Sequence, residues 1–141
     1  MPRLPPALPL RPPPLFPHAR RAVLAAVLAL ALAACAGNPI RPGIAREVSE
    51  QRINPFELHE ECMQLIPGDW LVYRFDAQRP VAFNIHYHEG KAVIVPVSRK
   101  DVTTDEGAFR PLVPQEYCLM WEAGREGAIV DYRILLDRGQ R

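Results

Sequence analysis

"WLVYRFDAQRPVAFNIHYH", residues 70–88, decides the fold that this sequence predicts. On both sides of the central DAQRP, aromatic and aliphatic side chains alternate with polar or small ones. Alternation with a period of two and one polar face is typical of a half-buried antiparallel β-strand. We therefore predict two strands, at residues 70–76 and 81–88, with a turn at residues 76–80.

The rest of the C-terminal part follows the same plan. Turn-forming residues separate short runs rich in Val, Ile, Tyr, Phe and Trp, and they recur at residues 67–69, 76–80, 89–91, 103–107 and 123–127. Such spacing indicates an all-β antiparallel sandwich or barrel. The apolar run AVIVPV, residues 92–97, contains Pro96, which has no N–H to donate. We expect that run to end there or to lie at a sheet edge.

The first 34 residues have a different composition. They hold four arginines and no acidic residue, and the uninterrupted apolar run AVLAAVLALALAA follows Arg20 and Arg21. Thirteen apolar residues are too few for a confident membrane-spanning helix, which needs about 20. A basic lead followed by a short apolar run and small residues indicates a secretory signal peptide.

The end of this run, Leu32-Ala33-Ala34-Cys35, resembles a bacterial lipobox. The resemblance implies cleavage before Cys35, lipidation of that cysteine and a place in the cell envelope. Ala36, in place of the Asp that retains such proteins at the inner membrane, favours the outer membrane, facing the periplasm. Several acyl chains would hold the domain stably, whereas one anchors only marginally. The alternative is ordinary cleavage after Ala33, which would leave a soluble protein with a stray thiol.

The charge balance argues against nucleic-acid binding. Four of the 17 Lys and Arg lie in residues 1–34 and all 16 Asp and Glu follow them, so the mature part has a net charge of about −3. Both signs are interspersed and no basic run occurs. We predict no nucleic-acid partner.

The three cysteines are an odd number, and lipidation of Cys35 would leave Cys62 and Cys118. In an oxidising compartment these two are expected to form a disulfide. A disulfide that closes the loop between Cys62 and Cys118 would stabilise the fold by about 4 kcal/mol in the chain-entropy model. The alternative is that one or both thiols bind metal or act in redox chemistry, although no C-x-x-C is present.

We divide the chain into a removed signal peptide (1–34), a lipid-anchored tether (35–57) and a β domain (58–141). The tether contains three prolines and little apolar periodicity, and helical turns are expected around Ile44 to Arg52.

Within the β domain, the stretch from Glu61 to Leu136 resembles the GOLD (Golgi dynamics) domain. The resemblance is carried by Glu61-Cys62 before a turn glycine, and then in order by DWLVYRFD, VAFNIHY, VIVPVSRKDV, GAFRPLVPQEYCLMW and VDYRILL. GOLD domains are jelly-roll β-sandwiches of eukaryotic cargo receptors and some lipid-transfer proteins. The resemblance implies a non-catalytic domain that binds proteins or lipids, and Cys62 and Cys118 fall where the cargo-receptor branch has its disulfide.

His86 and His88 are the candidate metal ligands. On a strand they project from one face, and neutral imidazoles suit zinc or copper. Asn84 and Glu89 are the other candidate site residues, and sequence cannot place a further ligand among the remaining candidates, His59, Glu60 and Met120. The alternative is that Asn84, His86 and His88 are the wet face of a half-buried strand, or the floor of a polar binding surface.

No phosphate-binding glycine loop, nucleophile elbow or H-E-x-x-H occurs, so we do not expect an enzyme. The sequence predicts a lipid-anchored envelope protein that binds a protein or lipid partner, with no cofactor. The alternatives are a periplasm-facing zinc or copper protein that uses His86 and His88, and a structural envelope lipoprotein without a discrete ligand.

Overall fold

The computed structural model describes residues 39–139. In this range the chain forms six strands: β1 (Arg46–Ile53), β2 (Leu58–Leu65), β3 (Trp70–Glu89), β4 (Ala92–Phe109), β5 (Gln115–Ala123) and β6 (Ala128–Asp137). All strand pairs are antiparallel. The predicted all-β antiparallel fold is confirmed.

β3 organises the sheet because its two halves have different neighbours. Residues 70–77 pair with β6, residues 81–87 pair with β5, and β4 runs along the other edge of both halves. The strand order is therefore β1-β6-β3-β4 in one half of the sheet and β2-β5-β3-β4 in the other. The sheet curls at the middle of β3, where the register against β4 shifts between Asp76 and Val81.

The predicted turn at residues 76–80 is wrong. Asp76 and Ala77 still pair with β6, and pairing with β5 starts at Val81. Residues 78–80 are therefore extra residues in a bulge, where a strand bends without reversing direction. Pro80 is tolerated there because a bulge residue does not have to donate a backbone N–H to a neighbouring strand. Residues 103–107 also lie inside a strand, β4, whereas the turns predicted at 67–69, 89–91 and 123–127 do separate strands.

The core lies between the two halves of the curled sheet. Phe75 from the first half contacts Phe83 and Trp121 from the second, with ring centroids 4.9 and 5.9 Å apart, and Trp121 stacks on Tyr132 at 4.7 Å. The predicted alternation of β3 is borne out, since Leu71, Tyr73 and Phe75 before the bulge and Val81, Phe83 and Ile85 after it are buried. Each fully buried side chain of this size contributes about 1.5–3 kcal/mol.

β1 lies inside the predicted tether, so the folded part begins before residue 58. The helical turns expected around Ile44 to Arg52 are wrong, because this stretch pairs with β6 as a strand. Val48 packs against the core, and Ile53 is buried within it. A bulge at Glu50, whose φ is 57°, is held by an amide hydrogen bond of 2.6 Å to Asp131 Oδ1.

The predicted disulfide is present. Cys62 and Cys118 are directly opposed in the pairing of β2 with β5, and their sulfurs are bonded at 2.05 Å. The bridge therefore joins two neighbouring strands on the sheet surface.

Hydrogen bonds join all six strands into one curled sheet, and the jelly-roll sandwich and GOLD-like details stay predictions. Cys35 and the predicted signal peptide lie outside the described residues. Within residues 39–139, no helix is long and apolar enough to cross a membrane.

Candidate functional site

The predicted histidine site lies on the outer face of the β2-β5-β3 half, which points away from the core. Strand pairing arranges this face in rows across the three strands. Met120 is opposite both Glu60 and Asn84, and in the next row Cys118 is opposite both Cys62 and His86. Polar side chains and the disulfide therefore share one surface.

His86 is buried on this face, with 6 % of its surface exposed. Its Nδ1 lies 2.8 Å from Asn84 Oδ1, and its Nε2 lies 3.6 Å from Glu60 Oε1. Because the amide oxygen can only accept, Nδ1 carries the proton when the imidazole is neutral, and Nε2 then has a free lone pair. That lone pair is on the side of the ring that faces Glu60.

The structure brings together most of the predicted site residues. The rings of His86 and His88 meet edge to face at 5.4 Å, and Asn84 and Glu60 contact His86. Glu89 pairs with Ala92 at the end of β3, and alternation turns it to the face opposite His86 and His88. Metal binding by this histidine pair stays a prediction.

Three donor atoms form a second group on the same face. The carboxylate of Glu60 and the sulfurs of Cys62 and Cys118 all lie within 4.8 Å of one another. Glu60 contacts His86 and also belongs to the group with the two sulfurs, so it connects the histidine to the disulfide.

His59, a candidate ligand in the sequence, lies on the other face of β2 in a buried polar network. Tyr132 donates a hydrogen bond of 2.5 Å to Glu61 Oε1, and Arg46 Nε donates one of 2.7 Å to the same oxygen. His59 Nε2 lies 2.9 Å from the Tyr132 hydroxyl, and since that hydroxyl donates to Glu61, it accepts from His59. The network ties β1 and β6 of one half to β2 of the other.

Burial sets the ionisation of this network. It lowers the pKa of His59 from its usual 6.5; the nearby Glu61 carboxylate opposes this shift in pKa, and Arg46 adds to it. Burial also raises the pKa of Tyr132 far above its usual value, and the hydrogen bond to Glu61 adds to this. At neutral pH the network therefore consists of a neutral imidazole and a neutral phenol with the Arg46–Glu61 ion pair.

The sequence contains one signal for this network. Glu61 shares its strand face with Met63 and Leu65, both buried, so alternation in β2 already places a carboxylate toward the core. Its partner Arg46 could not be identified, because the residues around Arg46 were assigned to a tether.

A different surface is formed by the beginning of β4. Val93, Ile94 and Val95 are 53, 37 and 46 % exposed, and in the part of the chain that the structure describes β4 pairs only with β3. Its other edge presents backbone N–H and C=O groups to solvent. This agrees with the expectation that Pro96 marks a sheet edge.

Comparisons with known proteins add little to this geometry. No protein-family model matches the chain, and no curated protein is similar to it in sequence. Among solved structures, it is similar to a de novo designed double-stranded β-helix determined by solution NMR. The identity is 17 %, the match covers 67 % of this chain and 99 % of the designed one, and the TM-score is 0.35.

Proposed function

We propose that this chain is a lipid-anchored lipoprotein of the cell envelope whose β domain binds a partner protein without catalysing a reaction. Cys35 would carry the lipid and hold the protein at the outer membrane, facing the periplasm. The disulfide on the sheet surface supports export to an oxidising compartment. The GOLD-like jelly-roll character is part of this proposal, and the bent β3 and β4 with their two four-stranded halves support it.

The observation that carries the proposal is the exposed apolar edge of β4. Three consecutive aliphatic residues, Val93, Ile94 and Val95, lie at a strand edge that pairs with no other strand of residues 39–139. Exposed edges of this kind are hazardous, and natural proteins usually blunt them with charge or proline. Here Pro96 and the register shift between Ile85 and Tyr87, which includes Val95, interrupt the edge only at one end, and residues 92–94 stay in regular register with β3.

The edge suits an extended segment of another protein. Such a segment would add as a further strand, with main-chain hydrogen bonds supplying affinity and alternate side chains supplying specificity. Aliphatic side chains on the partner would be favoured, because those of β4 are aliphatic on both faces.

A non-catalytic role is supported by the way the buried ionisable groups are used. The same oxygen of Glu61 accepts hydrogen bonds from Arg46 and Tyr132, so this carboxylate is occupied in joining the two halves of the sheet.

Co-purification from envelope membranes tests the proposal. A tagged Val93→Glu/Val95→Glu variant should lose a partner protein that the wild type retains, because two charges would be desolvated at the edge. Val72→Glu is the matched control, since Val72 is also exposed (38 %) but lies in β3, which is paired on both sides. Retention of every wild-type partner by the double variant would contradict the proposal.

Metal binding is the second candidate function, and the contact of His86 with Glu60 favours it. Zinc or copper would be held by His86, His88 and Glu60 while the disulfide stays intact. Calorimetric titration of the metal-stripped protein, beside a His86→Ala/His88→Ala variant, tests this function. Equal binding by the two proteins would exclude these histidines as ligands.

A further inference from the structure

We propose that reduction of the Cys62–Cys118 disulfide opens a four-ligand zinc site on the outer face, formed by Cys62, Cys118, His86 and Glu60. This proposal does not depend on the partner-binding function, and it differs from binding by His86 and His88 because it requires the free thiolates.

Part of the donor set is already close to zinc geometry. A tetrahedral zinc ion, with bonds of about 2.0 Å to nitrogen or oxygen and about 2.3 Å to sulfur, holds its ligand atoms about 3.2–3.8 Å apart. The separation of 3.6 Å between His86 Nε2 and Glu60 Oε1 lies in this range. The Glu60 carboxylate and the two sulfurs lie within 4.8 Å of one another. His86 is not in that group, so the Glu60 side chain and the freed thiols would have to rotate toward His86 Nε2 to complete the set.

The rigid part of the site is His86. Its side chain is only 7 % exposed, and Asn84 accepts from Nδ1–H at 2.8 Å, which leaves Nε2 as the metal-binding atom. Zinc-bound histidines are usually oriented by such a partner on the second ring nitrogen. Asn84 is therefore a positioning residue in the proposed site.

The disulfide blocks the site because its sulfurs are bonded to each other and are not thiolates. Cys62 is exposed while Cys118 is buried, so a reductant can reach the Cys62 sulfur. A dithiol would give the S–S bond two electrons and two protons and would itself become a disulfide. Zinc would then displace the two thiol protons as it binds.

Zinc titration of the full chain in detergent, carrying Cys35→Ala so that only two cysteines remain, tests this. The oxidised chain, which offers zinc only the imidazoles of His86 and His88 and the Glu60 carboxylate, should bind it weakly. After reduction with a phosphine, it should bind one equivalent at least about a hundredfold more tightly, because two anionic sulfurs join the site. Reduced chain that binds zinc no better than oxidised chain would overturn the proposal.

Variants identify the ligands. In the reduced state His86→Gln and Glu60→Gln should each weaken binding, and Asn84→Ala should weaken it about 10–100-fold. Glu122→Gln is the matched control, because Glu122 is an exposed carboxylate on the same face, opposite Leu58 and Ala82. Unchanged zinc affinity in His86→Gln would mean that the two thiols bind zinc without His86, and would contradict the proposal.

Two further readouts make the outcome decisive. Cobalt(II) should give thiolate-to-metal absorption in the reduced chain and none in Cys62→Ser/Cys118→Ser. Should the reduced chain lose its native circular dichroism, zinc must restore it, because the site exists only in the folded sheet. A reduced, unfolded chain that zinc does not refold contradicts the proposal.

Discussion

At the scale of single residues, the most informative group is Glu61. It is a carboxylate on a core-facing strand position, and both Arg46 and Tyr132 donate to it. A buried charge that loses its partner is costly, whereas an exposed ion pair contributes little. The contribution of Glu61 can be measured because the chain contains a matched exposed pair, Glu47 with Arg133.

We expect Glu61→Gln to lower the free energy of unfolding by about 2 kcal/mol. This lies below the usual cost of breaking a fully buried pair, because the Arg46 side chain is 30 % exposed. Glu47→Gln should change it by less than about 0.5 kcal/mol. Urea denaturation measures both, and equal losses would mean that Glu61 is not a structural anchor.

His59 makes stability depend on pH. Its pKa is lowered in the folded state, chiefly by burial, so below the usual value of about 6.5 the unfolded chain takes up a proton that the folded chain resists. The contribution of neutral His59 is therefore fully present above that value and is lost as the pH falls below it.

Unfolding free energies at pH 7.5 and 5.5 test this effect. The wild type should lose more stability between the two than His59→Gln, which has no imidazole to titrate. The same loss in both proteins would assign the pH dependence to other groups.

Sequence could predict only part of the candidate site. Alternation alone places His86 and His88 on one face, and the structure agrees. Glu60 could not be assigned to them, because its position beside His86 depends on β5 lying between β2 and β3, a pairing that no local pattern encodes. Glu89 does not lie beside the two histidines, because it follows His88 directly and adjacent residues on a strand point to opposite faces.

At the scale of secondary structure elements, local patterns predicted strands more reliably than turns. Residues 76–80 contain Asp and Pro, which favour a turn. β4 nevertheless pairs with β3 on both sides of them, so they form a bulge. β1 was not predicted as a strand, for a different reason. An edge strand is covered on one side only, so its sequence REVSEQRI carries little apolar periodicity.

Gly107 of β4 is paired with Tyr73 of β3 and leaves room for its ring. A Cβ there would lie 2.8 Å from the hydroxyl oxygen of Tyr73, whose side chain is buried. We expect Gly107→Ala to destabilise the fold by about 1–3 kcal/mol through overpacking, which for a domain of this size lowers the Tm by several degrees.

The matched control is Gly124→Ala, because a Cβ at Gly124 meets nothing within 4 Å. That variant should unfold within about 0.5 kcal/mol of the wild type. Thermal denaturation compares them, and equal Tm values for the two variants would show that Tyr73 yields without cost.

At the scale of the whole molecule, the folded part begins soon after the proposed anchor. Ile40 packs against the core, and the Gly43 amide donates to the Leu136 carbonyl at 2.8 Å. Much of the predicted tether, residues 35–57, therefore belongs to the folded domain.

Replacing Cys35 tests the anchor. Cys35→Ala should move the protein from the membrane fraction to the soluble fraction, because lipidation requires the cysteine sulfur. Cys62→Ala/Cys118→Ala is the control that should stay with membranes. Membrane association that persists in Cys35→Ala would contradict the lipoprotein assignment.

The most direct test of the central claim, binding of a partner along the β4 edge, is light-induced cross-linking in living cells. A photoreactive residue at position 95 should give one discrete cross-linked envelope protein, and the same residue at position 72 should not. The cross-link should disappear when Val93 is replaced by Glu. Identical patterns from positions 95 and 72, or none from position 95, would contradict the account.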